Sequence, residues 1–204
     1  MRVQMKMIIP AVILAAAVAA APGATYEIDS GHSTAQFSVR HLMVSNVRGN
    51  FGKVTGTVTY DGKEISSVSA EAVIDATTID SRMTQRDEHL KSPDFFDVKT
   101  YPTITFKSKK AAPGGAGKFK LAGDLTIRGV TREVMLDVEG PTAEVKDPWG
   151  NTKMGATATT KVNRQDFGLK WNAALEAGGV VVGDEVSITI ELELKRMPEA
   201  AATK

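Results

Sequence analysis

The stretch Val186-Ser187-Ile188-Thr189-Ile190-Glu191-Leu192-Glu193-Leu194-Lys195 decides the fold class of this chain, because every second residue in it is apolar. The residues between them are hydroxylic or charged. Successive side chains of a β-strand point to opposite faces, so the alternation predicts a strand with one dry face and one wet face. A parallel strand buried on both faces would be a continuous apolar run. The stretch therefore predicts an antiparallel sheet.

The same alternation recurs along most of the chain and predicts about eight strands. Asp61-Gly62 and Arg128-Gly129 supply turn signals between neighbouring strands. Such a sheet buries its dry faces either as a two-layer sandwich or by closing on itself as a barrel, and periodicity leaves both open. The seven further alternating segments run through residues 35–39, 54–60, 68–74, 104–106, 119–127, 134–138 and 154–162.

Small residues occupy many of the positions that the alternation places on the dry face. A closed barrel of about eight strands either fills its interior with side chains or holds one ligand. A filled core would use more Leu, Ile and Phe, so we expect the small residues to leave room between facing layers. They are Ala35, Gly56, Ala70, Ala72, Gly123, Ala156 and Ala158.

Residues 80–90 interrupt the alternation and predict one short helix, with Asp80 as its N-cap. Ser92-Pro93-Asp94 predicts a second helical start, because serine caps helices and proline suits the first helical position. The aromatic pair Phe95-Phe96 follows at once. A helix and an aromatic pair between two strands of a barrel would form a lid segment over one end.

The chain begins with the pattern of an export signal. Arg2 and Lys6 precede an uncharged apolar run over 8–21, and small residues follow it. This order is typical of a cleavable signal peptide, and the run is too short for a permanent membrane anchor. We therefore expect residues 1–24 to be removed, with cleavage between Ala20 and Ala24, and the mature protein to be periplasmic or secreted.

Residues 25–197 are expected to form one domain, and the Ala-rich residues 198–204 a disordered tail. Removal of Arg2 and Lys6 from the 25 basic residues leaves 23, against 24 acidic residues. Such a near-neutral, well-mixed chain lacks the basic surface that nucleic acid requires. The sequence has no cysteine, which excludes disulfides and a lipid-attachment cysteine.

Few residue patterns in the chain could carry catalysis or hold a metal. The three histidines, His32, His41 and His89, lack the close spacing of a zinc motif. No Gly-x-Ser-x-Gly occurs, and the Gly-rich loop at 113–117 lacks the lysine of a phosphate-binding loop. The sequence therefore predicts no catalytic residue, no metal site and no cofactor.

One group of charged and aromatic residues fits the mouth of an apolar cavity. A lipid with a polar or anionic head would need such groups where its chain enters. The same charges could equally face water. The group consists of Arg82, Arg86, Asp87, His89, Arg164, Asp166 and Trp171.

Ordered blocks of residues at fitting separations run through essentially the whole mature chain. They are His32-Ser33, FSVRHLMVS at 37–45, VRGNF at 47–51, RDEHLKS at 86–92, DFFD at 94–97, Tyr101-Pro102 with Phe106, LTIRGVT at 125–131, DPWG at 147–150, NRQDFG at 163–168, Trp171-Asn172 and GDEV at 183–186. In these blocks the chain resembles the YceI-like family of polyisoprenoid-binding, lipocalin-like periplasmic proteins.

The resemblance implies an eight-stranded antiparallel, lipocalin-like β-barrel with a long apolar tunnel that the helical segment helps to cover. It implies a carrier or scavenger of a long-chain isoprenoid, a quinone-like molecule or a fatty amphiphile. Because the family includes dimers, the resemblance also allows a homodimer. An enzyme acting on an apolar substrate inside the barrel and a structural module with a filled core stay open as alternatives. The candidate ligand contacts are Phe37, Val39, Phe51, Val58, Ile74, Met83, Arg86, His89, Leu90, Phe95, Phe96, Phe106, Leu125, Phe167 and Trp171.

Overall fold

The structure is a computed structural model that describes residues 23–175 and 178–198. The expected signal peptide, apart from Gly23 and Ala24, and the expected tail, apart from Pro198, lie outside these residues. One α-helix, α1 at Thr84–Lys91, occurs in the described part of the chain. The strands are β1 Ala24–Ile28, β2 Thr34–His41, β3 Ser45–Phe51, β4 Val54–Tyr60, β5 Ser69–Asp75, β6 Ile79–Asp80, β7 Thr103–Gly115, β8 Lys118–Ile127, β9 Val130–Glu139, β10 Val145–Lys146, β11 Thr152–Asn163 and β12 Val182–Arg196.

The strands form one antiparallel sheet that closes into a barrel. β1 and β2 lie end to end along β12 and together act as one strand of the barrel. The pair β3 and β4 forms the next strand in the same way, and the pair β5 and β6 forms the one after it. With β7, β8, β9, β11 and β12 they make eight strands around the barrel, each beside the next along the chain. Pairing of β12 with both β11 and β1–β2 closes the ring. The predicted eight-stranded barrel is confirmed, and the sandwich is excluded.

The alternation of the sequence separates the inside of the barrel from the outside. On β8, Phe119, Leu121 and Leu125 are buried, whereas Lys118 and Lys120 are exposed. The same division along the other strands produces one hydrophobic core inside the ring. On β8 the period-two pattern therefore predicts correctly which residues face inward.

The two ends of the barrel carry different connections. We call one end the helix end, because it holds the α1 connection (81–102), the turns at 42–44 and 128–129, and the connection 164–181. The opposite end holds the connections 61–68, 116–117 and 140–151. Because each strand runs antiparallel to the next, successive connections alternate between the two ends of the barrel.

The helix α1 starts later than predicted. Asp80 belongs to β6, and Met83 precedes the first helical residue without a side-chain cap. The Oδ1 of Asp80 accepts a hydrogen bond from the Arg82 backbone N–H at 2.7 Å, and Arg82 adopts a left-handed φ of 63°. A left-handed residue cannot continue a right-handed helix, so the helix begins at Thr84.

The predicted second helical start is wrong. Ser92 ends α1, because its backbone N–H and its Oγ both donate to the His89 carbonyl. Residues 93–100 then form consecutive turns and lead into β7. With eight residues, α1 is far too short to cross a membrane, and no described helix is long and apolar enough to do so.

An ion-pair group on the outer wall fixes the break between β1 and β2. The Nζ of Lys153 on β11 donates to Asp29 Oδ2 at 3.0 Å and to Glu193 on β12, and His32 Nδ1 lies 3.1 Å from Asp29 Oδ2. Asp29, His32 and Glu193 stand close enough to hold a cation, and the Lys153 ammonium already binds both carboxylates. The hydrogen bond from Lys153 above all lowers the pKa of Asp29 to about 2.

We predict that Asp29→Asn destabilises the protein in a pH-dependent way. Since the folded-state pKa lies below the ordinary value of 3.8, the carboxylate stabilises the fold above about pH 4 and loses its effect as the pH falls toward 2. Urea unfolding should show a loss of about 1–2 kcal/mol at pH 7, which disappears between pH 4 and pH 2. A loss of the same size at pH 2 would contradict this account.

Candidate functional site

The barrel encloses a cavity of about 340 Å³ that is lined by inward side chains of all eight strands. Its wall is almost entirely apolar, and β12 alone contributes Val186, Ile188, Ile190, Leu192 and Leu194. Pockets for small molecules commonly measure about 300–1,000 Å³. The interior is therefore large enough for a ligand, and the alternative of a filled core does not describe this barrel.

Five of the seven small inward residues line the cavity, as expected. Gly123 does not, because the ring of Phe106 covers the place where its side chain would stand. Gly56 does not either, since the β4 backbone there runs so close to Glu71 that a Cβ atom would overlap it. At these two positions the small residue permits a close contact and leaves no free volume. The five that line the cavity are Ala35, Ala70, Ala72, Ala156 and Ala158.

Fourteen of the fifteen candidate ligand contacts line this one cavity. Met83 does not: it stands just before α1 with its side chain 48% exposed. That the other side chains touch a ligand stays a prediction. They are Phe37, Val39, Phe51, Val58, Ile74, Arg86, His89, Leu90, Phe95, Phe96, Phe106, Leu125, Phe167 and Trp171.

Aromatic contacts fasten the α1 connection over the helix end of the cavity. His89 packs edge-on against Phe95 and Trp171, with ring centroids 5.1 and 4.9 Å away. Phe96 meets Phe51 of β3 edge-on at 5.6 Å. Edge-to-face pairs at these distances are favourable beyond their buried area. The helical segment therefore covers part of the cavity, as the lid prediction required.

Arg164 is the most buried charged residue described, with 4% of its surface exposed. Its guanidinium donates to the carbonyls of Gly183, Leu169 and Trp171 at 2.5–2.9 Å, and it pairs with Asp184 at 3.2 Å. Burial lowers the pKa of Arg164, and the Asp184 carboxylate opposes this effect. Arg164 thus holds residues 169–171 against the start of β12, and most of its donors serve the backbone.

The other polar candidates divide between the cavity and the solvent. Arg86 donates from Nε and Nη2 to the Oγ and carbonyl of Ser81, at 2.8 and 2.7 Å. Asp87 Oδ1 accepts from the backbone N–H and Oγ of Ser81. Arg82 and Asp166 are exposed and do not line the cavity. The structure therefore assembles only part of the predicted polar group.

The charges that line the cavity are all positive. Arg40, Arg86 and Arg164, with His41 and His89, belong to the lining, whereas no described lining residue is a carboxylate. All five residues lie at the helix end, and the rest of the described lining is apolar apart from Gln36, Tyr60 and Thr160. Sequence reasoning missed Arg40 and His41, because strand alternation places Arg40 on the wet face. Near them the β2–β12 ladder shifts register between Val182 and Val186, a signal that a single sequence does not carry.

Comparisons with known proteins agree with this geometry. The model of the YceI-like domain matches residues 26–194. A UPF0312 protein of Staphylococcus aureus (strain N315) is 36% identical over 168 residues, which cover 82% of this chain and 95% of the relative. The crystal structure of a Campylobacter jejuni YCEI protein superposes with a TM-score of 0.66 at 30% identity, over 78% of this chain and 90% of the other. A polyisoprenoid binding domain from Saccharophagus degradans shares the fold, with a TM-score of 0.61 at 16% identity over 84% and 98% of the two chains.

We predict that Arg164→Met costs about 3–5 kcal/mol of unfolding free energy, because buried carbonyls and Asp184 lose their donor. Arg128→Met is the matched control, since Arg128 donates a single bond to the Gly168 carbonyl at the same end of the barrel. The control should cost about 1 kcal/mol. Urea unfolding measures both, and equal losses would contradict the central role of Arg164.

Proposed function

The chain belongs to the YceI-like domain family, and from this premise we propose that it is a carrier or scavenger that holds a long-chain lipid inside its barrel. It acts by binding and not by catalysis. The observation that carries the proposal is the apolar cavity of about 340 Å³ inside the closed barrel. Each methylene removed from water contributes about 0.8 kcal/mol, so a long chain binds tightly in such a cavity without polar contacts.

The distribution of charge supports one orientation of the ligand. Arg86 and His89 of α1 line the helix end of the cavity, and the lining at the opposite end includes Met154 and Leu194. A polar or anionic head group gains hydrogen bonds from the N–H groups of arginine and histidine, whereas an apolar chain gains only where water is excluded. The head therefore lies at the helix end and the chain extends toward Leu194.

An isoprenoid chain is the first ligand to test, because the S. degradans domain with the same fold is named polyisoprenoid binding. Quinone-like molecules and fatty amphiphiles present the same combination of a long apolar chain and a polar head. One methylene more or less discriminates only weakly between ligands. We therefore expect a range of chain lengths to bind.

The contacts of the polar residues favour binding over catalysis. Arg164 is engaged by backbone carbonyls, Arg86 by Ser81, and His89 Nε2 lies 2.9 Å from Asp94. A general acid or base needs a group free to exchange a proton with a substrate. Among the described residues, Arg164 therefore serves the fold, and the Nε atom of Arg86 and the Nε2 atom of His89 are already engaged by Ser81 and Asp94.

Export places this binding in the periplasm. The support is the pattern of residues 1–24, which lies mostly outside the described residues, and the start of β1 at Ala24, where the barrel begins. A cleaved, soluble barrel without a permanent anchor can carry an apolar molecule through an aqueous compartment. A homodimer stays a prediction, and sedimentation velocity is the direct check.

We predict that Ala72→Phe weakens binding of the apolar fluorescent probe N-phenyl-1-naphthylamine by at least about tenfold, because the added ring takes up space where the probe would lie. Val73→Phe is the matched control: Val73 is the next residue of β5 and points to the outside. It should bind the probe like the unchanged protein. Probe fluorescence, with thermal unfolding to check the fold, measures both variants.

Equal binding by the two variants would place the probe on the surface. Failure of the probe and of added isoprenoid alcohols to enter the unchanged protein would overturn the carrier proposal.

A further inference from the structure

Three apolar residues stand in solvent at the tip of the β2–β3 hairpin. Leu42, Met43 and Val44 are 39%, 52% and 74% exposed. We call Leu42–Val44 the hairpin tip. A single exposed apolar residue is ordinary, but three in succession are unfavourable unless another surface covers them.

The backbone of the tip makes its composition more unusual. Leu42 and Met43 have φ angles of 48° and 59°, in the left-handed region. A two-residue hairpin turn of this shape favours Asn-Gly, and bulky residues are strained in it. The turn is nevertheless held, because Leu42 N–H donates to the Val181 carbonyl at 2.8 Å and Val44 N–H to the His41 carbonyl at 3.0 Å. Turn geometry therefore does not explain why these residues are apolar.

The tip lies beside the opening of the cavity. His41, which directly precedes the tip, and Val181, whose carbonyl accepts the Leu42 hydrogen bond, both line the cavity. Among the described lining residues only Gln36 and Arg40 are exposed, and both lie on β2. Arg40 lies two residues before the tip, so an entrance at Arg40 adjoins the tip.

The hairpin that carries the tip is positively charged. Residues 34–51 contain Arg40 and Arg48 and no acidic residue. Arg40 and Arg48 are exposed, and neither forms a salt bridge with any residue in the described part of the chain. An apolar edge flanked by unpaired cations fits an anionic phospholipid surface, where acyl chains and phosphates lie a few ångströms apart.

We propose that the hairpin tip docks the barrel on an anionic phospholipid bilayer, with Leu42, Met43 and Val44 in the interface and the flanking arginines at lipid phosphates. The cavity opening then faces the bilayer, so an apolar chain moves between membrane and barrel without crossing water. A protein partner is disfavoured, because a stable protein interface needs about 800 Å² from each side and three residues supply little of it. The transfer step rests on the proposed function, whereas the docking does not.

The test compares three forms of the full mature protein by co-sedimentation with vesicles. Leu42→Asn/Met43→Gly/Val44→Thr makes the tip polar and gives the turn its preferred residues, so folding is preserved. Val73→Thr/Met135→Gln is the matched control, since it removes two exposed apolar residues from the outer wall. The vesicles are rich in phosphatidylglycerol or consist of phosphatidylcholine alone, and N-phenyl-1-naphthylamine binding in solution is measured for each form.

The unchanged protein and the control should bind the phosphatidylglycerol vesicles, with weaker binding at high salt because charge is screened. The tip variant should bind at least about tenfold more weakly and still take up the probe. Absence of vesicle binding by the unchanged protein, or equal binding by the tip variant, overturns the docking. If docking fails but the protein still takes up the probe, the carrier function stands. If the protein binds vesicles but does not take up the probe, docking is supported and the carrier function is overturned. A further outcome would also overturn the proposal: the unchanged protein and the control self-associate, the tip variant does not, and no form binds vesicles. The tip would then be a contact between two copies of this chain.

Discussion

The pairing of β12 with β11 on one side and with β1 and β2 on the other closes the sheet, and the rest of the structure depends on this closure. Closure removes the free strand edges that an open sheet would expose. It also sets the circumference of the ring, and eight strands enclose more space than these inward side chains fill. The cavity is therefore a consequence of backbone hydrogen bonding combined with small residues such as Ala72 and Ala156.

The unfilled interior connects stability with function. An apolar cavity forgoes the packing contacts that a filled core would have. A ligand that enters it restores those contacts and stabilises the folded state by mass action. Arg86, His89 and Arg164 at the helix end are held by their own hydrogen bonds, so this part of the site exists before a ligand arrives. Preorganisation of this kind lowers the cost of binding.

Local patterns in the sequence predict the parts of the fold that depend on local rules. Alternation identifies the inward residues of β8 and β12 because the period of a strand is fixed by its backbone. It does not reveal that Asp29 and Glu193 meet Lys153, or that the Phe106 ring covers Gly123, because these contacts join separate strands. The sequence places the start of α1 too early, at Asp80. The Asp80 carboxylate instead accepts a hydrogen bond from the Arg82 backbone N–H, and Arg82 is left-handed, which the spacing of apolar residues does not show. The cavity residues were found largely through the family resemblance.

The most direct test of the central claim is organic extraction of the mature protein, purified from bacteria without detergent, followed by mass spectrometry of the extract. A lipid carrier should yield long-chain amphiphiles in an amount close to one per barrel. A single isoprenoid or quinone would name the ligand, and a mixture of long chains would identify a scavenger that selects by chain length. An empty extract, from protein that also fails to bind added isoprenoid lipids, would contradict the account.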